Sequence, residues 1–562
     1  MAATSFPARS ETLGTAEWET SAPAWQPGSI WLGRNAAGDP VGVMDDRHMV
    51  TVAGSRAGKG RSAIVPNLLL WPASCVVLDP KGENATKTAR HRATLPDHRV
   101  VVVDPFGVAD VPDELRGTFN PLDLLDAADE GAIDVASAIG DALIVAGDSR
   151  DSHWDESARQ LLEALILHVA TVADPDRRNL AHVRRLLTEG DQVAAQELNL
   201  KSPFDALWSE MIAPAVDERL DALAGVIRGG AESVASMGDN ERGSVLSTAR
   251  RNTKFLDSPA VGRALARSSF QLDDVKRLAG GMSLYLCLPA RFIATHARFL
   301  RVIVNLVLFR MESMGLDAPA SGRPVLFVMD EFANLGKLEA IEKAAGLMAG
   351  YGVKLWPILQ DLTQLKRYYR QSWETFLGNA GVLQFFGNTD LTTLEWLEKR
   401  MGQTQVTLAT EGSSTSEAKG TSTGTTNSET KGSQKSAGRT EGHSQMAPLS
   451  ALTARQGGQS LLDAITRSGA SDTSLSGGTS VSEALSASNS EAKQSGTSET
   501  TTESRSISRS VQLRPLCRVD EIARYFDRAT GLQVVFISGG HPLALERTPY
   551  DSDPQFAGMT SG

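Results

Sequence analysis

The sequence predicts an α/β fold with a mainly parallel sheet, interrupted by an all-α insertion and by a long low-complexity insertion. Three observations carry this prediction. Short continuous apolar runs such as Val100–Val103 and Val325–Met329 suit strands buried on both faces. Several of these runs end in aspartate and are followed by helical stretches, the alternation of βαβ units. Between residues 127 and 269 the periodicity turns helical, and from 404 to 510 serine, threonine and glycine dominate.

In chain order, residues 1–27 are polar and proline-containing, and read as a mobile tail. Ser29–Gly33 and Pro40–Val43 flank a glycine turn and form a hairpin pattern. Met49–Val52 is a strand that runs into Gly54-Ser55-Arg56-Ala57-Gly58-Lys59-Gly60-Arg61, followed by a helix over Ala63–Leu70. This is the layout of a phosphate-binding loop: successive N–H groups and a helix N-terminus cradle phosphates, and Lys59 reaches the outer phosphoryl oxygens. Two positions depart from the usual pattern. Ala53 stands where glycine is usual, and Gly60 where a serine or threonine hydroxyl normally ligates Mg²⁺, leaving Ser62 or a water as substitutes. A flexible surface turn is the bland alternative.

Cys75–Asp79 and Val100–Asp104 are further strands, with helical Asn84–Thr94 between them. Asp79 lies near the carboxyl-end site of such a sheet or caps the following turn. Trp154–His168 shows helical spacing, with His168 as a packed core histidine. Met282–Pro289 resumes the sheet, an amphipathic helix spans His296–Met314, and Pro324–Met329 is a buried strand ending in Asp330-Glu331. Asp330 suits the Mg²⁺ shell, and Glu331 suits orientation or activation of water, the alternative being a solvated strand end. Glycine loop and acidic strand tip, in this order, predict a P-loop NTPase using ATP and Mg²⁺. Val353–Leu359 delivers Gln360, which either senses the γ-phosphate or caps the next helix.

Residues 404–510 hold too little apolar surface to offset ordering entropy and read as mostly disordered. Ala447–Ile465 is the apolar exception, and the rims Gln405–Leu408 and Ile507–Leu513 alternate like strands of a hairpin. Leu532–Ile537 is a closing strand, and residues 551–562 a frayed tail.

Composition sets bounds. With 22% charged and 41% hydrophobic residues, the 562-residue chain is ordinary for a globular protein. A formal charge of −11 excludes coating of nucleic acid by bulk attraction, so any nucleic-acid contact must be local. Three scattered cysteines form no metal or redox spacing and fit a reducing compartment. No stretch of some twenty uninterrupted apolar residues is present, and the N-terminus lacks the order of a secretory signal.

Asp330-Glu331-Phe332-Ala333-Asn334-Leu335-Gly336-Lys337 resembles the acidic-strand signature of the type IV secretion and conjugative coupling proteins. Ser55–Gly60 with Val65–Leu68 is similar to their phosphate loop, in which glycine after the lysine is usual. Val77–Asn84, Phe119–Leu122, Ile358–Leu365 and Thr375–Asn379 resemble further signatures, and the likeness runs from about Gly28 to Gly402 and resumes near Val511–Pro515. The resemblance implies a RecA-like motor built from residues 28–126, 270–403 and 511–550, with the all-α insertion at 127–269. It implies homo-hexamers that hydrolyse ATP to deliver relaxase-bound single-stranded DNA or effector proteins to a type IV secretion channel. Lys59, Glu331 and Gln360 take the catalytic roles, Asp330 the metal, and Gly54 through Arg61 the nucleotide. The family's N-terminal membrane helices are not matched: either the chain is a soluble variant, cytoplasmic and peripheral at the inner membrane through a partner, or the anchor was never part of it. Some relatives supply an arginine in trans at the position of Ala349; Arg367, Arg370 and Arg400 are the neighbouring candidates. A DNA-pumping translocase of the chromosome-segregation type and a nucleotide-binding cargo adaptor with little turnover are the rival readings.

Overall fold

The computed structural model describes residues 15–129, 131–144, 152–213, 221–421, 435–441, 485–493 and 497–560. They fall into two compact units. Met1–Ser21, Leu394–Arg524 and Gly540–Ala544 form one; Ala22–Thr393, Tyr525–Gly539 and Leu545–Gly562 form the other. The strands are β1 (Ile30–Arg34), β2 (Pro40–Val43), β3 (His48–Ala53), β4 (Cys75–Asp79), β5 (Arg99–Val103), β6 (Met282–Cys287), β7 (Val325–Met329), β8 (Val353–Leu359) and β9 (Ala380–Phe386). Then come β10 (Gln403–Thr421), β11 (Lys435–Glu441), β12 (Leu485–Lys493), β13 (Thr497–Pro515), β14 (Leu532–Ile537) and β15 (Leu543–Glu546).

The main sheet has the order β2-β1-β15-β14-β9-β3-β8-β7-β4-β6-β5. From β9 to β5 every pairing is parallel. The predicted hairpin of β1 and β2 forms. Strands β3, β4, β6, β7, β8 and β9 are buried along their whole length, which explains their unalternating apolar sequences. Register then fixes the functional edge. Val52 is level with Leu359, Ala53 with Phe386, and Leu78 with Met329. The residues after β3, β4, β7, β8 and β9 therefore emerge together at the carboxyl edge, where α/β sheets bind ligands.

A buried polar chain pins that register. Trp356 Nε1 donates to Thr51 Oγ1 (2.8 Å), Thr51 to Gln384 Oε1 (2.8 Å), Gln384 Nε2 to Gln533 Oε1 (2.5 Å), and Gln533 to the Leu32 carbonyl. A one-residue slip of any of these strands would orphan donors in a dry core, so the chain selects one alignment.

From Ala132–Leu143 to Pro259–Ala264 the described elements are helical, in agreement with the predicted all-α insertion. His168 is 4% exposed, and burial holds its imidazole down at about 4, the neutral core histidine expected. The helix Ala290–Ser313 is long and apolar enough by composition to cross a membrane, but half of its apolar window is buried within the protein.

Two expectations are corrected. The described part of the tail is packed: Trp18 is 5% exposed, and Trp25 meets Trp31 edge-on with centroids 5.9 Å apart. Residues 551–560 are no frayed end, because Phe556 buries against Trp31 (5.4 Å) and Asp553 pairs with Arg34 at 2.7 Å. Single aromatic anchors in polar surroundings escape a reading based on average composition. Of the span 404–510 the described residues form strands, β10 pairing antiparallel with β13 and β11 and β12 flanking them, while the larger part of the span lies outside the described residues. The rim hairpin was legible from alternation; its continuation was not, because Ser/Thr/Gly strands carry no apolar period. The apolar stretch Ala447–Ile465 lies outside the described residues.

Close approach at the loop gives a test. A Cβ on Gly54 would lie 1.7 Å from the Gly387 carbonyl oxygen, whereas one on Gly60 meets nothing within 4 Å. Gly54→Ala is expected to cost on the order of 1–3 kcal/mol and to lower Tm by several degrees in thermal unfolding. Gly60→Ala should leave Tm within about a degree of the parent.

Candidate functional site

The loop after β3 is shaped by outward-facing carbonyls. Gly54 N–H donates to Phe386 O and Ala57 N–H to Gly54 O, both at 3.1 Å. The Gly58 carbonyl accepts from Ser62 N–H and Ser62 Oγ, each at 2.9 Å, and the Ala57 carbonyl accepts from the Arg547 guanidinium. Arg56 (φ 57°) and Gly58 (φ 86°) take left-handed conformations that reverse the chain. The N–H groups of Ser55, Arg56, Gly58 and Lys59 donate to no backbone group among the described residues. An amide nest thus opens at the start of the helical segment that continues through Gly60–Ile64 and Val65–Leu70.

Lys59 crosses from this nest to the tip of β7. Its Nζ lies 2.9 Å from Asp330 Oδ1 and 2.7 Å from Glu331 Oε1. The three side chains are only 18%, 13% and 18% exposed, so their charges act with little screening. Burial works against the Lys59 ammonium, but Asp330 and Glu331 outweigh it and raise its pKa above the ordinary lysine value. Burial pushes the Asp330 carboxyl up, against the pull of Lys59. Glu331 sits in a left-handed conformation (φ 53°, ψ 38°), with its N–H donating to Asp330 Oδ1 at 3.0 Å. Such a conformation costs a non-glycine residue about 1–2 kcal/mol, and it turns both carboxylates toward the loop.

Gln360, delivered by β8, donates from Nε2 to Glu331 Oε2 at 3.2 Å. The helix that follows is capped by Asp361, which accepts the Gln364 N–H at 3.0 Å, so capping is not Gln360's task. Asp79 does both things considered for it. It accepts the Ala85 N–H at 2.8 Å at the start of the helix Glu83–Arg92, and its strand runs beside that of Asp330. Burial raises its carboxyl to about 7, opposed by the Ala85 N–H and reinforced by Asp330.

The predicted set therefore converges: Gly54 to Gly60 form the nest, and Lys59, Asp330, Glu331 and Gln360 meet beside it. The Arg61 side chain turns away to Asp551 at 2.7 Å. Ser62 spends its hydroxyl on the Gly58 carbonyl. Two contributors escaped sequence reading. Asn388, 5% exposed beyond β9, donates to the Gln360 carbonyl at 3.2 Å. Arg547 braces Ala57 and lies 4.8 Å over the Phe386 ring, and burial lowers its pKa to about 10. The run Gly381–Phe386 was a usable signal for β9; nothing in the local sequence marks Arg547.

The family described as "Type IV secretory system Conjugative DNA transfer" matches residues 1–435. The chain belongs to this family. It is 30% identical over 374 residues to the conjugal transfer protein TraG of Escherichia coli, covering 64% of this chain and 55% of TraG. It is 25% identical over 368 residues to the type IV secretion system-coupling protein VirD4 of Bartonella quintana, covering 64% and 53%. The chain spans about half the length of these curated relatives. Among solved structures, the plasmid coupling protein TrwB in complex with the non-hydrolysable ATP analogue ADPNP superposes with a TM-score of 0.55 at 14% identity, covering 95% of this chain and 94% of that one. TrwB in complex with ADP and Mg²⁺ gives 0.54 at 14%, with the same coverage. The fold is thus that of TrwB, a RecA-like P-loop NTPase fold with a mostly parallel sheet.

The raised carboxyl of Asp79 predicts a pH dependence. In the folded chain Asp79 keeps its proton up to about 7, whereas an unfolded aspartate releases it near 4. The native state binds the extra proton between these values, so this group favours folding increasingly as pH falls through 7. Unfolding of the parent and of Asp79→Asn, compared from pH 8 to pH 5, should show the parent gaining stability relative to the variant on acidification.

Proposed function

We propose that the chain is a coupling ATPase of a conjugation or type IV secretion system, hydrolysing ATP with Mg²⁺. The observation that carries this is the Lys59 ammonium set between the Asp330 and Glu331 carboxylates at the mouth of an amide nest. The nest offers unpaired N–H donors and one cation, which fits a triphosphate. Asp330 supplies a carboxylate that would hold a hard divalent cation, while Gly60 offers no hydroxyl and the Ser62 hydroxyl is engaged by the Gly58 carbonyl. Bound Mg²⁺ supplies charge neutralisation on the β- and γ-phosphates.

The chain's own residues do the rest. The N–H groups of Ser55, Arg56, Gly58 and Lys59 hold phosphate oxygens, and the Lys59 ammonium binds the outermost. Glu331 accepts a proton from, and orients, the attacking water, while Gln360 fixes the Glu331 carboxylate from its second oxygen and reports the γ-phosphate. Family membership supports relaxase-bound single-stranded DNA or effector proteins as cargo, a homo-hexamer as the working form, and a cytoplasmic position at the inner membrane beside the secretion channel. A nucleotide-binding adaptor with little turnover is the second reading, favoured by the missing hydroxyl at Gly60.

ATP hydrolysis and binding of a fluorescent ATP analogue, measured with and without single-stranded DNA, test this. Glu331→Gln should bind nucleotide within a few-fold of the parent and lose turnover by about 10²–10⁴. Lys59→Ala should lose both. Turnover equal in parent and Lys59→Ala contradicts the site, and binding without turnover in the parent under every condition selects the adaptor.

A further inference from the structure

The segment after Gln360 carries charge and ring surface that the nucleotide site does not use. From 366 to 373 the chain reads Lys-Arg-Tyr-Tyr-Arg-Gln-Ser-Trp, with three cations, three rings and no acid, in a protein of net charge −11. It spans the end of the helix Leu362–Tyr368, the connection that follows, and the first residue of the helix Trp373–Gly378. Arg367 and Arg370 are exposed, and Lys366, Tyr368 and Trp373 half-exposed. Lys366 Nζ lies 4.5 Å from the centre of the Trp373 ring, and the Arg367 guanidinium 5.5 Å from that of Tyr368. Cations and flat apolar faces are thus interleaved on one small outcrop.

Its root is tied to the dyad. Tyr369 alone points inward, 2% exposed, and stacks on Phe332 with centroids 5.7 Å apart and planes 7° apart. Phe376 packs 4.7 Å from the same ring, and the Tyr369 hydroxyl accepts the Leu338 N–H at 3.2 Å. Phe332 directly follows Glu331, and Gln360, which opens the segment, donates to Glu331. The outcrop is therefore linked through Tyr369 and Phe332 to the strand tip that carries Glu331.

We propose that Lys366–Trp373 is a contact surface for single-stranded nucleic acid whose occupancy is felt at Glu331. The inference rests on the coupling-ATPase reading for its biological sense. The chemistry favours this partner because cations neutralise phosphodiesters while rings stack unpaired bases. A duplex hides its base faces, and an acidic peptide satisfies the cations but leaves the rings without partners.

The full chain is titrated with a labelled oligothymidylate, by fluorescence anisotropy over a range of salt concentrations. Each lost phosphate contact reduces the log–log salt slope by about 0.7, so Lys366→Ala/Arg367→Ala should flatten it by about 1.4 and weaken binding. Tyr368→Ala should weaken binding by about tenfold with the slope retained. Arg367→Glu, at an exposed position, carries the same test should the double variant fail to fold. Variants that bind like the parent, displacement by poly-glutamate at equal charge, or turnover lost with oligonucleotide affinity intact each overturn the surface. Turnover in the same preparations separates the two readings. A parent that hydrolyses ATP but binds no oligonucleotide refutes the surface alone, and a parent that binds it through these residues without turnover refutes the ATPase alone.

Discussion

One buried ammonium organises the site. Lys59 joins the loop after β3 to the tip of β7 through two ion pairs, and its two partners lie on consecutive residues. Two adjacent carboxylates in a poorly screened pocket repel each other, and their coexistence depends on the cation between them. The left-handed backbone at Glu331 directs both at that cation, and Gln360 holds the remaining glutamate oxygen. The geometry suits the triphosphate proposed for it: amide donors on the loop, acids on the strand tip, one cation between them.

That constellation is a consequence of sheet register. The site residues come from five strand ends spread over more than three hundred residues of sequence, and only parallel alignment brings them to one edge. The Trp356–Thr51–Gln384–Gln533 chain forbids slippage of β3 against both of its neighbours, β8 and β9, and the close approach of Gly54 to Gly387 locks β3 against β9 at the loop itself. Arg547 then draws the Ala57 carbonyl away from the nest from a position near the end of the sequence. The C-terminal segment is therefore part of the phosphate loop's support.

Much of this was legible beforehand, for identifiable reasons. Strands buried on both faces announce themselves as uninterrupted apolar runs, so β4, β5, β7, β8 and β14 were read nearly to the residue, and Lys59, Asp330, Glu331 and Gln360 followed from their places at strand ends. β9 was missed because Gly381 and Gln384 break its apolar pattern, although Gln384 is there to make the polar chain. Asn388 was lost with it. Arg547 depends on a contact between residues 490 positions apart, for which one sequence contains no signal. That Asp361 rather than Gln360 caps the next helix could be seen only from geometry, since both residues stand at the helix start in the sequence. The packed ends at Trp18 and Phe556 show the limit of average composition: one ring finding a cavity outweighs many polar neighbours.

The most direct measurement is the position of a Mn²⁺ ion, located by its anomalous scattering in crystals grown with a non-hydrolysable ATP analogue. The account predicts the ion against the Asp330 carboxylate, with the phosphates held by the Lys59 ammonium and the amides of Ser55, Arg56, Gly58 and Lys59. An analogue bound with its phosphates away from that nest, or a metal distant from Asp330 and Glu331, would contradict it.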